Sequence, residues 1–229
     1  MVAEHVISQR LETVHSVMDA ALTRAKRSDA VKLVAVSKTF SVDTISDAYA
    51  AGQRVFGENR LQELEAKTPL LPTDIEWHLV GSIQSRKARR ASLAASVLHG
   101  VDRTKLVSLL VAEGATVLVQ VNIAGEDQKS GANPRDVEDL IAALTEAGVT
   151  VAGLMQIPPV AQEGEDSRRW FSALREMRDR LLPDWPTVRE LSMGMTNDYG
   201  VAIEEGATII RVGRAIFGDR PAHGQREKG

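Results

Sequence analysis

Apolar and polar residues along this chain change period in a regular order. Residues 2–27 place Val6, Ile7, Leu11, Val14, Met18, Ala21, Leu22 and Ala25 at the spacing of one helix face, with charged residues between them. Residues 31–36 then read VKLVAV, apolar except at Lys32 and rich in β-branched valine. That is the pattern of a short strand buried on both faces of a parallel sheet. Ser41-Val-Asp-Thr opens a helix that stops at Ala51-Gly52. The alternation then recurs. Further strands are predicted at 54–56, 75–80, 97–98, 115–121, 149–154, 188–191 and 207–210. Helices are predicted at 61–67, in the Ala-rich segment ending at Ala95, at 103–113, at 135–147 behind Pro134, at 165–182, at 199–205 and at 215–217.

Eight strands alternating with eight helical segments are the count of a (β/α)8 barrel. The expected organisation is one barrel domain over residues 1–229, with residues 1–27 as an extra N-terminal helix and a polar, loose tail from Pro221. A doubly wound open sheet is the competing architecture. It calls for a Gly-rich phosphate turn after the first strand, and SKTFSVDT contains no glycine.

Composition narrows the function classes. Lys and Arg number 28 against 31 Asp and Glu, a net charge of −3, so no basic field points to nucleic acid or an anionic membrane. The run Arg86-Lys87-Ala88-Arg89-Arg90 has no neighbouring aromatics to stack on bases and reads as a solvated helix face. No apolar run approaches the ~20 residues of a membrane span, and MVAEHVISQR lacks a signal-peptide core. With no cysteine there is no disulfide framework, thiolate nucleophile or Cys-ligated metal, and the cytoplasm is the expected compartment. The five histidines show no HxH or HExxH spacing, so no metal is expected. There is no G-x-S-x-G for a serine hydrolase.

The polar and glycine residues that stand out fall where strands end: Lys38, Glu58-Asn59, His78 with Gly81 and Gln84, Asp102, Asn122, Met155, Ser192 and Arg211. In a parallel barrel these ends converge on one mouth, the face that carries active sites. The opposite loops, such as Gly114, Gly148 and Gly206, look like simple helix stops. An amine at the end of a buried strand, such as Lys38, can lose part of its hydration and act as a nucleophile toward aldehydes, and a solvated loop lysine is the competing reading. Ser192-Met-Gly-Met-Thr and Arg211-Val-Gly-Arg each run from a strand into a helix. Glycine lets the backbone approach an anion, and helix N-termini aim N–H groups at it, so both loops suit a phosphate, the competing reading being that Gly194 and Gly213 serve tight turns only. Arg211 ends strand eight, next to strand one in a closed barrel, and could reach the site of Lys38. An ion pair with Glu190, Glu204 or Glu205 is its competing role. For His78, a satisfied histidine near the core competes with a catalytic role.

These residues resemble the pyridoxal phosphate homeostasis proteins, the YggS or proline-synthase-associated type. The resemblance rests on LVAVSKTF, AGQRVFGENRLQE, EWHLVGSIQSRK, VLVQVNIAGEDQKSG, GLMQIP, LSMGMTND and IIRVGRAIFG, in the family's order between Val31 and Gly218. It implies a barrel like that of alanine racemase (fold-type III) without that enzyme's β-rich domain, and pyridoxal 5′-phosphate held as a Schiff base on Lys38. It further implies that Arg211 faces the pyridine nitrogen. Ser192 and Thr196, with the backbone of Gly194, Met195, Gly213 and Arg214, would hold the phosphate. Asn59 and His78 would lie near the ring, and Met155 would pack in the pocket. The chain departs from the family's usual pattern at Arg60-Leu61, at residues 83–87, at Thr196 and at Arg214. Thr196 keeps a hydroxyl and Arg214 keeps its backbone N–H.

The expected function is reversible binding of pyridoxal phosphate, which keeps the free aldehyde scarce and delivers it to apoenzymes, in a monomer without robust catalysis. An amino-acid racemase is the alternative. It needs an acid–base group on each face of the ring, and Tyr199 is the one nearby candidate opposite Lys38. A Schiff-base aldolase is a third reading, against which stands the position of Lys38 after strand one.

Overall fold

A computed structural model describes residues 2–126, 128, 130–160 and 163–219; the tail expected from Pro221 lies outside them. Eight parallel strands close into a barrel in sequence order: β1 Lys32–Val36, β2 Val55–Glu58, β3 Glu76–Leu79, β4 Val97–Val101, β5 Thr116–Gln120, β6 Val151–Met155, β7 Glu190–Ser192 and β8 Ile209–Val212. The single-domain (β/α)8 expectation holds, and the open sheet is excluded by the β1–β8 pairing, with Val34 opposite Arg211 and Ala35 opposite Val212.

Strand alternation divides the core in two. Val34, Val36, Val80, Leu118, Met155 and Ile209 point into the barrel and pack on one another. Their neighbours, including Leu33, Ala35, Phe56 and Leu98, face outward against the helices. This double burial explains why β1 reads as an apolar run.

Around the sheet lie α1 Val2–Arg24, α2 Val42–Ala50, α3 Leu61–Lys67, α4 Ala88–Ala94, α5 Val137–Glu146, α6 Arg168–Leu181, α7 Tyr199–Glu204 and α8 Arg214–Phe217. Ser41 caps α2 as expected, its hydroxyl accepting from the Thr44 N–H at 3.3 Å. The last two helices are short, and α1 packs across α2, α7 and α8 to cover the β8–β1 seam. It buries Ile7, Leu11, Val14, Met18 and Ala21, most of the stripe read from the sequence.

Two expectations need correction. The segment 103–113 is a 3-10 turn at Thr104–Leu109. The Val111 and Ala115 amides donate to the hydroxyl and carbonyl of Ser92 on α4, at 3.2 and 2.7 Å, instead of to a helical ladder. The weak strand read at 97–98 extends to Val101, which places His99 inside the barrel wall. Among the described residues no helix is long and apolar enough to cross a membrane, and no cluster suits a metal ion.

Candidate functional site

The inward set on β1 runs Lys32, Val34, Val36, and two residues further the same alternation falls on half-buried Lys38. Gly213, just past β8, sits beside Val36 at the end of β1. A Cβ there would lie 3.0 Å from the Val36 carbonyl oxygen, so the turn after β8 packs on the strand end that presents Lys38. The backbone around Lys38 is clamped on both sides. Lys67 of α3 donates to the Ser37 carbonyl at 3.1 Å and to Glu58 at 2.7 Å, and the Ser37 hydroxyl donates to the same Glu58 oxygen at 2.8 Å. The Thr39 N–H donates to Glu63 at 3.0 Å, with Thr39 in the left-handed region at φ 71°.

Glu58 and Lys67 are both buried, and the second Glu58 oxygen has no partner. Burial raises the Glu58 pKa even with Lys67 alongside.

The turn after β7 is held as tightly. Gly194 adopts φ 93°, and a Cβ would approach Ala202 Cβ at 2.6 Å and Tyr199 Cα at 2.9 Å. Asp198 accepts from the Met195 N–H at 2.7 Å and from Ser167 at 3.0 Å. The Arg211 N–H donates to the Gly194 carbonyl at 3.0 Å, tying the turn after β7 to β8. Met195, Thr196 and Arg214 are at least partly open to solvent.

Arg211 is 5 % exposed and points inward. It donates to Ser192 Oγ at 2.6 Å and to the Gln156 carbonyl at 2.9 Å. Full burial lowers its pKa to about 10, so the guanidinium stays charged at neutral pH. None of the glutamates considered as its partner reaches it. Glu204 pairs with Arg24 and Arg168, Glu205 with Arg168 and Arg175, and Glu190 accepts from Thr208.

Behind Arg211 lies a row of buried side chains. His99 Nδ1 is 2.9 Å from Ser192 Oγ, and His99 Nε2 is 2.8 Å from His78 Nδ1. His78 Nε2 is 2.8 Å from Glu76, which also accepts from Lys32 at 2.8 Å at the opposite mouth. Desolvation holds both imidazoles below the ordinary histidine value, and the His78 and Lys32 contacts lower Glu76 to about 2. A depressed pKa favours folding above the unfolded value and is lost as pH falls. Unfolding midpoints are therefore expected to fall first as pH drops below the ordinary histidine value of about 6.5, then again between 4.5 and about 2. Glu76→Gln should make the lower step smaller, the rest of it belonging to the other carboxylates held down by arginine partners, such as Glu204, and should not abolish the upper one.

The structure gathers Lys38, Met155, Ser192, Gly194, Arg211 and Gly213 at one mouth, but reassigns two of the expected roles in detail. The Ser192 hydroxyl is taken by Arg211 and His99, and both His78 nitrogens are bonded, consistent with the satisfied core histidine. Exposed Asn59 lines an open groove with Gln84 and Lys87. Its backbone is pinned, because a Cβ on Gly81 would lie 2.1 Å from the Asn59 carbonyl oxygen. Asn122 closes its own loop on Glu126. Sequence reading missed His99, Gln156 and the Glu58–Lys67 pair. Inward parity on β4 was the signal for His99, hidden by reading the strand too short.

A barrel with a strand-end lysine and two glycine turns beside it defines a class. The family model for the alanine racemase N-terminal domain matches residues 16–221. The pyridoxal phosphate homeostasis protein of Aquifex aeolicus is 38% identical over 222 residues, covering 93% of this chain and 97% of that protein. PipY of Synechococcus elongatus, solved with pyridoxal phosphate bound, is 36% identical with a TM-score of 0.80, over 93% of this chain and 100% of that one. An alanine racemase from Bartonella henselae, 13% identical, shares the fold with a TM-score of 0.71, over 95% of this chain and 61% of that one. The chain belongs to the pyridoxal phosphate homeostasis protein family.

Proposed function

We propose that this chain binds pyridoxal 5′-phosphate at the carboxyl mouth of the barrel, with Lys38 as the Schiff-base lysine, and acts in its homeostasis. It holds the aldehyde and releases it to apoenzymes, as a cytoplasmic monomer. The observation that carries the reading is the placement of Gly213 against the β1 end, which brings the strand end that bears Lys38 and a glycine turn to one edge of the mouth. Family membership and the ligand in PipY support it.

When bound, the cofactor supplies an electrophilic aldehyde and an electron-withdrawing ring. The residues around it fit such a group. Lys38 offers the amine, and the clamp on Ser37 and Thr39 fixes the backbone that carries it. The phosphate is assigned to the backbone N–H groups of Gly194, Gly213 and Arg214 with the Thr196 hydroxyl, while the Met195 N–H expected there is already given to Asp198. Ser192 shapes that turn, its hydroxyl being taken by Arg211 and His99. Arg211 has N–H donors beyond the two already bound, and facing the pyridine nitrogen it leaves that atom unprotonated, which suits holding over catalysis. Met155 would form the floor and Asn59 the rim, with His78 near the ring.

Racemisation gains nothing from the geometry. Tyr199 is buried, with burial raising its pKa, and so is poorly placed to take a proton at neutral pH. The test is a titration with pyridoxal phosphate. The chain should gain a visible absorbance band that Lys38→Ala lacks, with no Cα proton exchange of L- or D-alanine in deuterated water. An unchanged band in Lys38→Ala overturns the assignment, and rapid exchange overturns the carrier reading.

A further inference from the structure

The row from Arg211 to Glu76 runs through the barrel and joins its two mouths. Its bond directions follow from its ends. Ionised Glu76 has no proton to give, so His78 carries its proton on Nε2 and donates to Glu76. A neutral His78 then accepts at Nδ1, so His99 donates from Nε2. His99 in turn accepts at Nδ1, so Ser192 donates there and accepts from Arg211. The other end gives the same answer. Were His99 to donate to Ser192, the serine would accept from both neighbours, and its own buried proton would have no acceptor among the described residues. Such an orphan is costly in a dry interior.

We propose that Ser192, His99, His78 and Glu76 form a one-way hydrogen-bonded relay that aims the Arg211 guanidinium, making Glu76 at the far mouth a positioning residue. The Glu76–Lys32 pair anchors the relay where solvent reaches it, since Lys32 is exposed and Glu76 half-buried. A change there is felt at Arg211 through four hydrogen bonds in series, although Glu76 touches neither Arg211 nor His99. The direction of the relay belongs to the ligand-free chain, and only its bearing on the cofactor rests on the function proposed above.

Nitrogen-15 NMR of the full, ligand-free chain at neutral pH tests the relay. Long-range proton–nitrogen correlations should show His78 and His99 both neutral with the proton on Nε2. In Glu76→Leu, which removes the acceptor, His99 should become a mixture of tautomers and the Arg211 guanidinium resonances should move. Glu76→Gln keeps an acceptor oxygen and should restore the wild-type pattern. An imidazolium or an Nδ1 proton at either histidine in the wild type overturns the proposal. So does a wild-type His99 pattern in Glu76→Leu. Should that variant fail to fold, the wild-type and Gln spectra decide. Adding pyridoxal phosphate separates the two readings. A visible band displaced in Glu76→Leu supports the positioning role. No band in any of the three proteins counts against the cofactor reading and leaves the relay standing.

Discussion

Lys67→Met is expected to lower the unfolding free energy by about 3–5 kcal/mol, the cost of leaving one member of a buried ion pair without the other. Glu58 is fully buried, and its one satisfied oxygen takes both Lys67 and Ser37. Methionine fills similar volume, so the loss reports charge and hydrogen bonding more than packing. The Glu58 pKa is already raised by burial, and without Lys67 it rises further. A group whose folded pKa is raised stabilises the fold when protonated, so the deficit should shrink as pH is lowered through that pKa. Glu58→Leu together with Lys67→Met should recover most of the stability, since no buried charge is then left unpaired. Denaturant unfolding of the three variants at neutral and acidic pH measures this. A single-variant loss under about 1 kcal/mol would place Glu58 in water or leave it protonated in the wild type.

The second large effect is expected at Gly194. A valine there meets a left-handed backbone, costing about 1–2 kcal/mol for a residue with a Cβ. It also overpacks against Ala202 and Tyr199, typically about 1–3 kcal/mol more. The turn relieves this by moving away from α7, which displaces the residue 194 N–H and the Thr196 hydroxyl from the proposed phosphate position. Gly194→Val should therefore lower the thermal midpoint and weaken binding of pyridoxal phosphate far more than binding of pyridoxal, which lacks the phosphate. Equal losses for both ligands would move the phosphate elsewhere.

Most of the architecture was legible because a parallel barrel buries each strand twice. Val31–Val36 and 115–121 stand out as apolar runs for that reason, and glycines with positive φ at 52, 148 and 206 punctuate the helices between them. The site was legible as a set of strand ends, since loops at one mouth must carry the polar residues. What stayed hidden were partnerships. Glu58 and Lys67 are nine residues apart, and nothing in either side chain alone says that α3 folds the lysine back onto β2. His99 was hidden because Gly100 made β4 look finished. That glycine instead allows close approach of the preceding loop, where a Cβ would lie 2.5 Å from the Gly81 carbonyl oxygen. The segment 103–113 carries helical composition, but its Val111 N–H is claimed by the Ser92 hydroxyl, a contact no local pattern encodes.

Lys38 is the residue proposed to take the aldehyde. Borohydride reduction of the chain loaded with pyridoxal phosphate, followed by peptide mass mapping, tests this directly. One reduced pyridoxyl phosphate group on the peptide containing Lys38, and on no other, is the result expected. Modification centred on Lys67, Lys87 or another lysine, with the Lys38 peptide unmodified, would contradict it.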